Sequence, residues 1–360
     1  MLVFVLLLGV ACGRRAVEPT RSVSPELPPA GEPSPIAPPM GGPRITAEIP
    51  VPRDTYNLGV AVGAGSAWVG LEPKEGNGEG SVIRIDLATN ERVAEIPVAE
   101  APSRKRIAAT ADAVWVGSTS MLERIDPATN TIVATVAIPD RSISAIAVDD
   151  AAVWAVTIDR SAQGFLVRAD PATNKIVAEV PLGPQIAGYE DEVELGAGSV
   201  WVLGVRWFER EDAEFGSDLI RIDPATNTIA ARIPVGGFNM AVGTDEVWVR
   251  FPADGIFDAV YAGERGERWV WTRVDVQTNE PSKPFRFEDD GLRLVTPDAL
   301  WSVGYDEQEN VRVTRFDPDT LDVEARSEPL RSYSHDAVLD PASGTVWVSA
   351  FSAIVRFDIG

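Results

Sequence analysis

The sequence predicts an all-β fold, a seven-bladed β-propeller of four-stranded antiparallel blades. Three observations predict it. An apolar-Trp pattern recurs seven times, an Arg-X-Asp pair follows each Trp, and most of those Asp residues open the same tight turn. The Trp residues are 68, 115, 154, 201, 248, 301 and 347, in steps of 39 to 53 residues. The pairs are Arg84/Asp86, Arg124/Asp126, Arg168/Asp170, Arg221/Asp223, Arg273/Asp275, Arg315/Asp317 and Arg356/Asp358. Repeats of this length with four strand patterns each are the signature of propeller blades.

Composition bounds the answer first. The chain has 360 residues, 45% of them hydrophobic, with 32 Lys+Arg against 54 Asp+Glu and a net charge of −22. That charge repels phosphate backbones, so no nucleic-acid partner is expected. One Cys and one His exclude a disulfide framework, thiolate zinc sites and His-rich metal centres.

The elements follow in order. Residues 2–11 form an apolar run ending at Ala11, directly before Cys12. It is too short to cross a bilayer as a helix and reads as a signal segment over residues 1–12. Its ending resembles the lipobox of bacterial lipoproteins. That resemblance implies lipidation of Cys12, export, and a membrane partner through the lipid on the extracytoplasmic face; a plain secretory signal is the alternative. Residues 13–43 turn to Pro, Ser, Glu and small residues, which cannot offset their ordering entropy, and read as an extended stalk.

The propeller occupies 44–360. Within each unit strand A (VAVG type), strand B (AWVG type), strand C (VIRID type) and strand D (RVAEIPV type) alternate in the two-residue period of strands. Between C and D stand DLATN (86–90), DPATN (126–130, 170–174 and 223–227), DVQTN (275–279) and DPDTL (317–321). Asp caps such a turn, Pro fixes φ, and Asn tolerates the left-handed conformation on exit. The last unit stops after strand C, while RITAEIPV at 44–51 matches RVAEIPV at 92–98. Residues 44–51 are therefore expected to supply its fourth strand and close the ring, which removes two open edges.

The wording DPATNTIVATV (126–136) resembles the YVTN-type and virginiamycin B lyase-like (streptogramin lyase-like) propellers of bacteria, and the likeness covers 44–360. The superfamily holds lyases, binding proteins and scaffolds. Streptogramin lyases are expected, from the resemblance, to use more than one His with Glu and magnesium, and this chain has only His335.

A catalytic group is needed once and a structural device once per blade, so the repeated Trp, Arg and Asp belong to the fold. The A-to-B and C-to-D connections are short, and the B-to-C and D-to-A loops emerge on the opposite face, where binding is expected. Alignment of the A strands on the Trp places Arg104, Arg106, Glu190, Glu192, Asn239, Asp290, His335 and Asp336 around one channel mouth as a candidate ligand site. These charges either meet a ligand or pair with each other across a wet channel. The long loops of blades four and five carry Trp207, Phe208, Phe215, Phe257 and Tyr261, a candidate partner-binding wall or a lid.

Three functions stay open. The first is a non-catalytic tethered propeller, without cofactor, that binds a small polar ligand or an envelope protein. The second is a lyase or hydrolase with magnesium or calcium held by Glu190, Glu192 and Asp336, since carboxylates suffice for such cations. The third is a structural envelope scaffold.

Overall fold

The computed structural model describes residues 42–75, 80–100, 102, 105–184, 192–204, 218–235, 237–252, 269–287, 291–340 and 342–359. Cys12 and the stalk lie outside them. Gly42 and Pro43 are already described, and Pro43 is buried. Among the described residues 27 strands form seven sheets and no helix.

Blade one shows the plan. Strands Thr55–Gly63, Ser66–Pro73, Gly80–Asp86 and Arg92–Val98 follow one another across an antiparallel sheet. The inner strands of the seven blades touch in sequence, and that of blade seven, Ser334–Asp340, returns to Thr55–Gly63, so the ring is closed. Its seal is the one expected from the ends of the chain. Arg44–Pro50 pairs antiparallel with Ala353–Asp358, from Arg44 opposite Asp358 to Pro50 opposite Ala353.

No single core holds the molecule. The buried apolar residues fall into seven clusters, one between each pair of neighbouring blades, and each contains one repeat Trp. Trp68, for example, packs with Val82 and Ile96 of its own blade and with Ile107, Val114 and Ile125 of the next. A ring built this way spreads its hydrophobic burial over its joints.

The repeated Arg closes each joint. Its guanidinium lies over the Trp of its own blade in all seven, at 4.4 to 5.8 Å from the ring centroid. From there it reaches the next blade's turn: Arg168 donates to Pro224 O at 2.8 Å and to Asn227 Oδ1 at 2.9 Å. Arg84, Arg124, Arg221 and Arg356 make the same latch with Asn130, Asn174, Asn279 and Asn90. The turn Asn therefore has two tasks. It holds the left-handed backbone, at φ 53–60°, and it receives the preceding blade's Arg. Hydrogen bonds from the turn's own amides and Thr hydroxyl hold the turn Asp residues below the usual carboxylate range, as with Thr89 on Asp86.

Two joints depart from this pattern. Blade six has Leu321 in place of the turn Asn, at φ 64°, and Arg273 reaches only Pro318 O, at 3.5 Å. A groove of about 630 Å³ opens at that joint, lined by Glu246, Arg273, Thr278, Pro318 and Asp319 among others. Blade seven has chain ends where the turn would be, and Arg315 turns to Asp298 O and Glu324 instead.

Blade five has a three-stranded sheet. The fourth position is filled by a segment that bridges strand Trp269–Asp275 at Trp271–Phe285 and Val274–Pro281 and adds hydrogen bonds through Ser282, without forming a regular strand. Pro281 and Pro284 lack the N–H that a regular ladder requires. Aromatic packing takes over: Trp248 lies edge-on to Trp271 at 6.2 Å and to Phe285 at 5.5 Å, and Phe287 reaches Phe316 at 4.7 Å.

Candidate functional site

In a radial sheet the inner strand keeps one backbone edge with no ladder partner, and those amides need acceptors. Carboxylates of the preceding blade supply three of them. Asp336 of blade seven accepts Val60 N at 3.1 Å, while Glu192 of blade four accepts Met240 N at 2.5 Å and Glu194 accepts Val242 N at 3.0 Å. Glu192 is 5% exposed, and its other oxygen receives Lys105 Nζ at 2.5 Å. Lys105 belongs to blade two, in the loop before strand Ile107–Ala109. It reaches blade four past blade three.

Glu194 is the residue that breaks the repeat. The ladder pairs the seven Trp with Ala61, Ala108, Ala147, Glu194, Ala241, Leu294 and Val338. Six blades put a small or apolar side chain there, and blade four puts a carboxyl. It keeps part of its surface accessible. Burial pushes its pKa up to about 8, and the charge of Glu192 adds to the rise. The bond from Val242 and the fields of Lys105 and Arg293 oppose it without cancelling it. The fold therefore draws Glu194 toward its protonated form, in which its carboxyl can donate a hydrogen bond.

Arg293 comes from blade six. A bulge between Leu292 and Leu294 lifts it out of the ladder, so Leu292 takes the place in the core that the Trp alignment assigns to Arg293. Its Nε is buried without a hydrogen-bond partner. Lys105 of blade two thus meets Glu192 of blade four, and the fields of Lys105 and of Arg293 on blade six are felt at Glu194.

Of the residues expected at the mouth, Arg106, Glu192, Asn239 and Asp336 are described. Arg106 stands at the head of the inner strand of blade two, and its carbonyl accepts Gly117 N at 2.7 Å. Asn239 is 7% exposed, and its Oδ1 has no hydrogen-bond partner. Arg104, Glu190, Asp290 and the side chain of His335 lie outside the described residues. So do Trp207, Phe208, Phe215, Phe257 and Tyr261. Glu192 does pair, with Lys105, a residue that the alignment did not single out.

A shared cation does not fit the described part of the carboxylate set. Glu192 and Asp336 stand on blades four and seven, and each already accepts a backbone amide of the following blade. Among the described residues no three His, Cys, Asp or Glu side chains come together as metal ligands. The long-loop face also carries an aromatic group that sequence reasoning missed. Tyr56, Tyr333 and Phe351 are exposed, Lys74 Nζ sits over the Tyr56 and Phe351 rings at 5.2 and 5.6 Å, and Tyr333 donates to Glu309.

Comparison with known proteins leaves the fold as the shared feature. No family model matches the chain, and no curated protein matches it. Among solved structures it is similar to a chain of Kuenenia stuttgartiensis hydrazine synthase, with a TM-score of 0.63 and 12% identity over 86% of this chain and 98% of that one. Because 1137 solved chains match, the likeness marks a frame used by many proteins and says nothing of chemistry. The chain is a seven-bladed β-propeller.

Proposed function

We propose that the chain is a non-catalytic recognition propeller, held on the outer side of a membrane by a lipid on Cys12, that binds a small polar ligand at the long-loop end of its channel. One observation carries this reading. An ion pair that the repeat does not require joins Lys105 of blade two to Glu192 of blade four past the inner strand of blade three. Binding is favoured over turnover because the described carboxylates of the expected mouth set are engaged: Glu192 and Asp336 accept backbone amides, and Glu192 also pairs with Lys105. The finer likeness to streptogramin lyase-like propellers belongs with this reading as a relationship of frame.

The binding test is a thermal-shift screen of the full chain against small carboxylates, amines, sugars, magnesium and calcium. At least one class is expected to raise the Tm, and Lys105→Glu, which sets a second carboxylate against Glu192, is expected to remove that rise. Chemical conversion of the ligand, or protection that Lys105→Glu leaves intact, would overturn the reading. For the tether, the full chain is expected in the membrane fraction and Cys12→Ser in the soluble fraction. An unchanged membrane fraction sinks the lipid anchor and leaves the binding reading standing.

A further inference from the structure

We propose that the groove between blades five and six binds a cationic peptide segment through the side-chain carboxamide of an Asn or Gln. Its oxygen takes the place at Arg273 that a turn Asn holds in the sibling joints. The groove lies among the A-to-B and C-to-D connections, on the short-loop face, so the proposal goes beyond the channel reading. The repeat itself supplies the reference. In five joints an Arg lying over its Trp donates to the carboxamide oxygen of the next blade's Asn, at 2.9 to 3.3 Å. Between blades five and six the frame is kept and that oxygen is gone. Arg273 lies over Trp248 at 4.4 Å and Phe285 at 5.2 Å. The turn of blade six closes with Leu321 N on Asp317 O at 2.9 Å, and Leu321 holds φ 64° against the 53–60° of the Asn residues. Its side chain packs into the apolar cluster of the joint and offers no acceptor.

Arg273 is half-buried, and its guanidinium keeps only the bond to Pro318 O at 3.5 Å, the outer limit of such contacts. It has no ion-pair partner among the described residues. Blade seven shows what a guanidinium does when the turn is missing altogether: Arg315 takes a carboxylate, Glu324, at 3.3 Å. Arg273 has no such substitute. A guanidinium stacked on aromatic rings has donors left in its own plane, and they need acceptors. What lies against it instead is the groove of about 630 Å³, a size that holds small ligands and side chains.

Charge selects among the oxygens that could enter. Five carboxylates, Asp245, Glu246, Asp275, Glu280 and Asp319, line the groove with Arg273. Glu246 accepts Trp248 Nε1 at 2.6 Å, and Asp275 is held by the amides of its own turn. Glu280 and Asp319 are exposed. An anion approaching Arg273 is repelled by these groups and by a chain of net charge −22. A neutral carboxamide oxygen satisfies the guanidinium without adding negative charge, and its NH2 group donates to the neighbouring carboxylates. Lys or Arg on either side of it meets Glu280 and Asp319. The acceptor is thus an amide, and its carrier is a cation.

The experiment titrates the full chain calorimetrically with acetyl-Lys-Asn-Lys-amide at neutral pH and low salt. The opposing probes are the same peptide centred on Ala or on Asp, and acetyl-Glu-Asn-Glu-amide. The Asn peptide is expected to bind tightest, by about tenfold or more over the Ala peptide, the scale of a hydrogen bond to a charged group. Leu321→Asn gives Arg273 an internal acceptor and should bring the Asn peptide down to the level of the Ala peptide. Leu321→Ala, which supplies no oxygen, should still bind it. Replacing Glu280 and Asp319 together with Ala should weaken binding severalfold and flatten its salt dependence. Melting curves establish that the variants are folded. Absence of binding, an Ala, Asp or Glu-flanked peptide that binds as tightly as the Asn peptide, or an affinity unchanged in folded Leu321→Asn would overturn the proposal. None of these changes touches the channel, so the recognition reading stands or falls separately.

Discussion

Deleting residues 13–51 is expected to lower the Tm by about 10 °C or more, whereas deleting only 13–41 leaves it nearly unchanged. The two truncations differ by the strand Arg44–Pro50 and its flanks. That strand carries the whole ladder to Ala353–Asp358. Its Ile45 packs into the cluster between blades six and seven, and Ile49 and Val51 into the cluster between blades seven and one. Withdrawing three such side chains removes roughly 5 kcal/mol of apolar burial, and a domain of this size shifts by about 2–4 °C per kcal/mol. The longer deletion also bares the edge of Ala353–Asp358, so light scattering should rise on heating. Equal melting temperatures would sink closure of the ring by its ends.

Glu194→Gln is expected to stabilise the protein in alkaline solution and to do nothing in acid. The folded pKa of about 8 lies above the ordinary value for Glu, so the fold favours the protonated form. That contribution is fully present below about pH 4.5 and is lost as pH rises through 8. A rise of this size sets a ceiling of roughly 5 kcal/mol. Glu194 is part-exposed, so solvent screening brings the loss by pH 9 down to about 2–3 kcal/mol. Gln has the same shape, accepts Val242 N and cannot ionise. The Tm of the variant should equal that of the parent near pH 4 and exceed it increasingly from pH 6 to 9. Parallel curves would mean that Glu194 is ionised throughout.

The architecture was legible because each joint repeats the same chemistry. Trp, Arg-X-Asp and DPATN are visible seven, seven and three times over, and each proves to be part of an inter-blade joint. Half of the Asn role was legible too. Its left-handed backbone could be read from turn chemistry, whereas its bond to the previous blade's Arg, as from Arg168 to Asn227, joins residues far apart in sequence. Blade five hid its irregular outer position behind an intact Trp and DVQTN, although Pro281 and Pro284 were the signal.

The site was less legible, for identifiable reasons. Glu192, Asn239 and Asp336 came from columns that the ladder registers support, but what their side chains touch depends on the next blade. Arg293 was shifted by a bulge, which no alignment on Trp301 can register. Lys105 sits in a loop at φ 65° and has no column. Glu194 was the avoidable omission, since the column directly opposite the Trp reads Ala, Ala, Ala, Glu, Ala, Leu, Val.

Closure by the two ends also sets an order of events during folding. Thr46 and Asp358, which hydrogen-bond in the finished ring, are 312 positions apart. The strand Arg44–Pro50 enters its environment first and finds its partner last, after every intervening blade has stacked. Loop-closure entropy grows slowly with length, so the distance itself costs little, but contacts this remote are made late and slowly. Until then the first blade's outward face and the orphan strand are both open to neighbouring chains. The final zipping of one strand thus turns a row of loosely joined sheets into a hoop, and a nascent chain interrupted before residue 353 would present the unsealed edges of an aggregation seed.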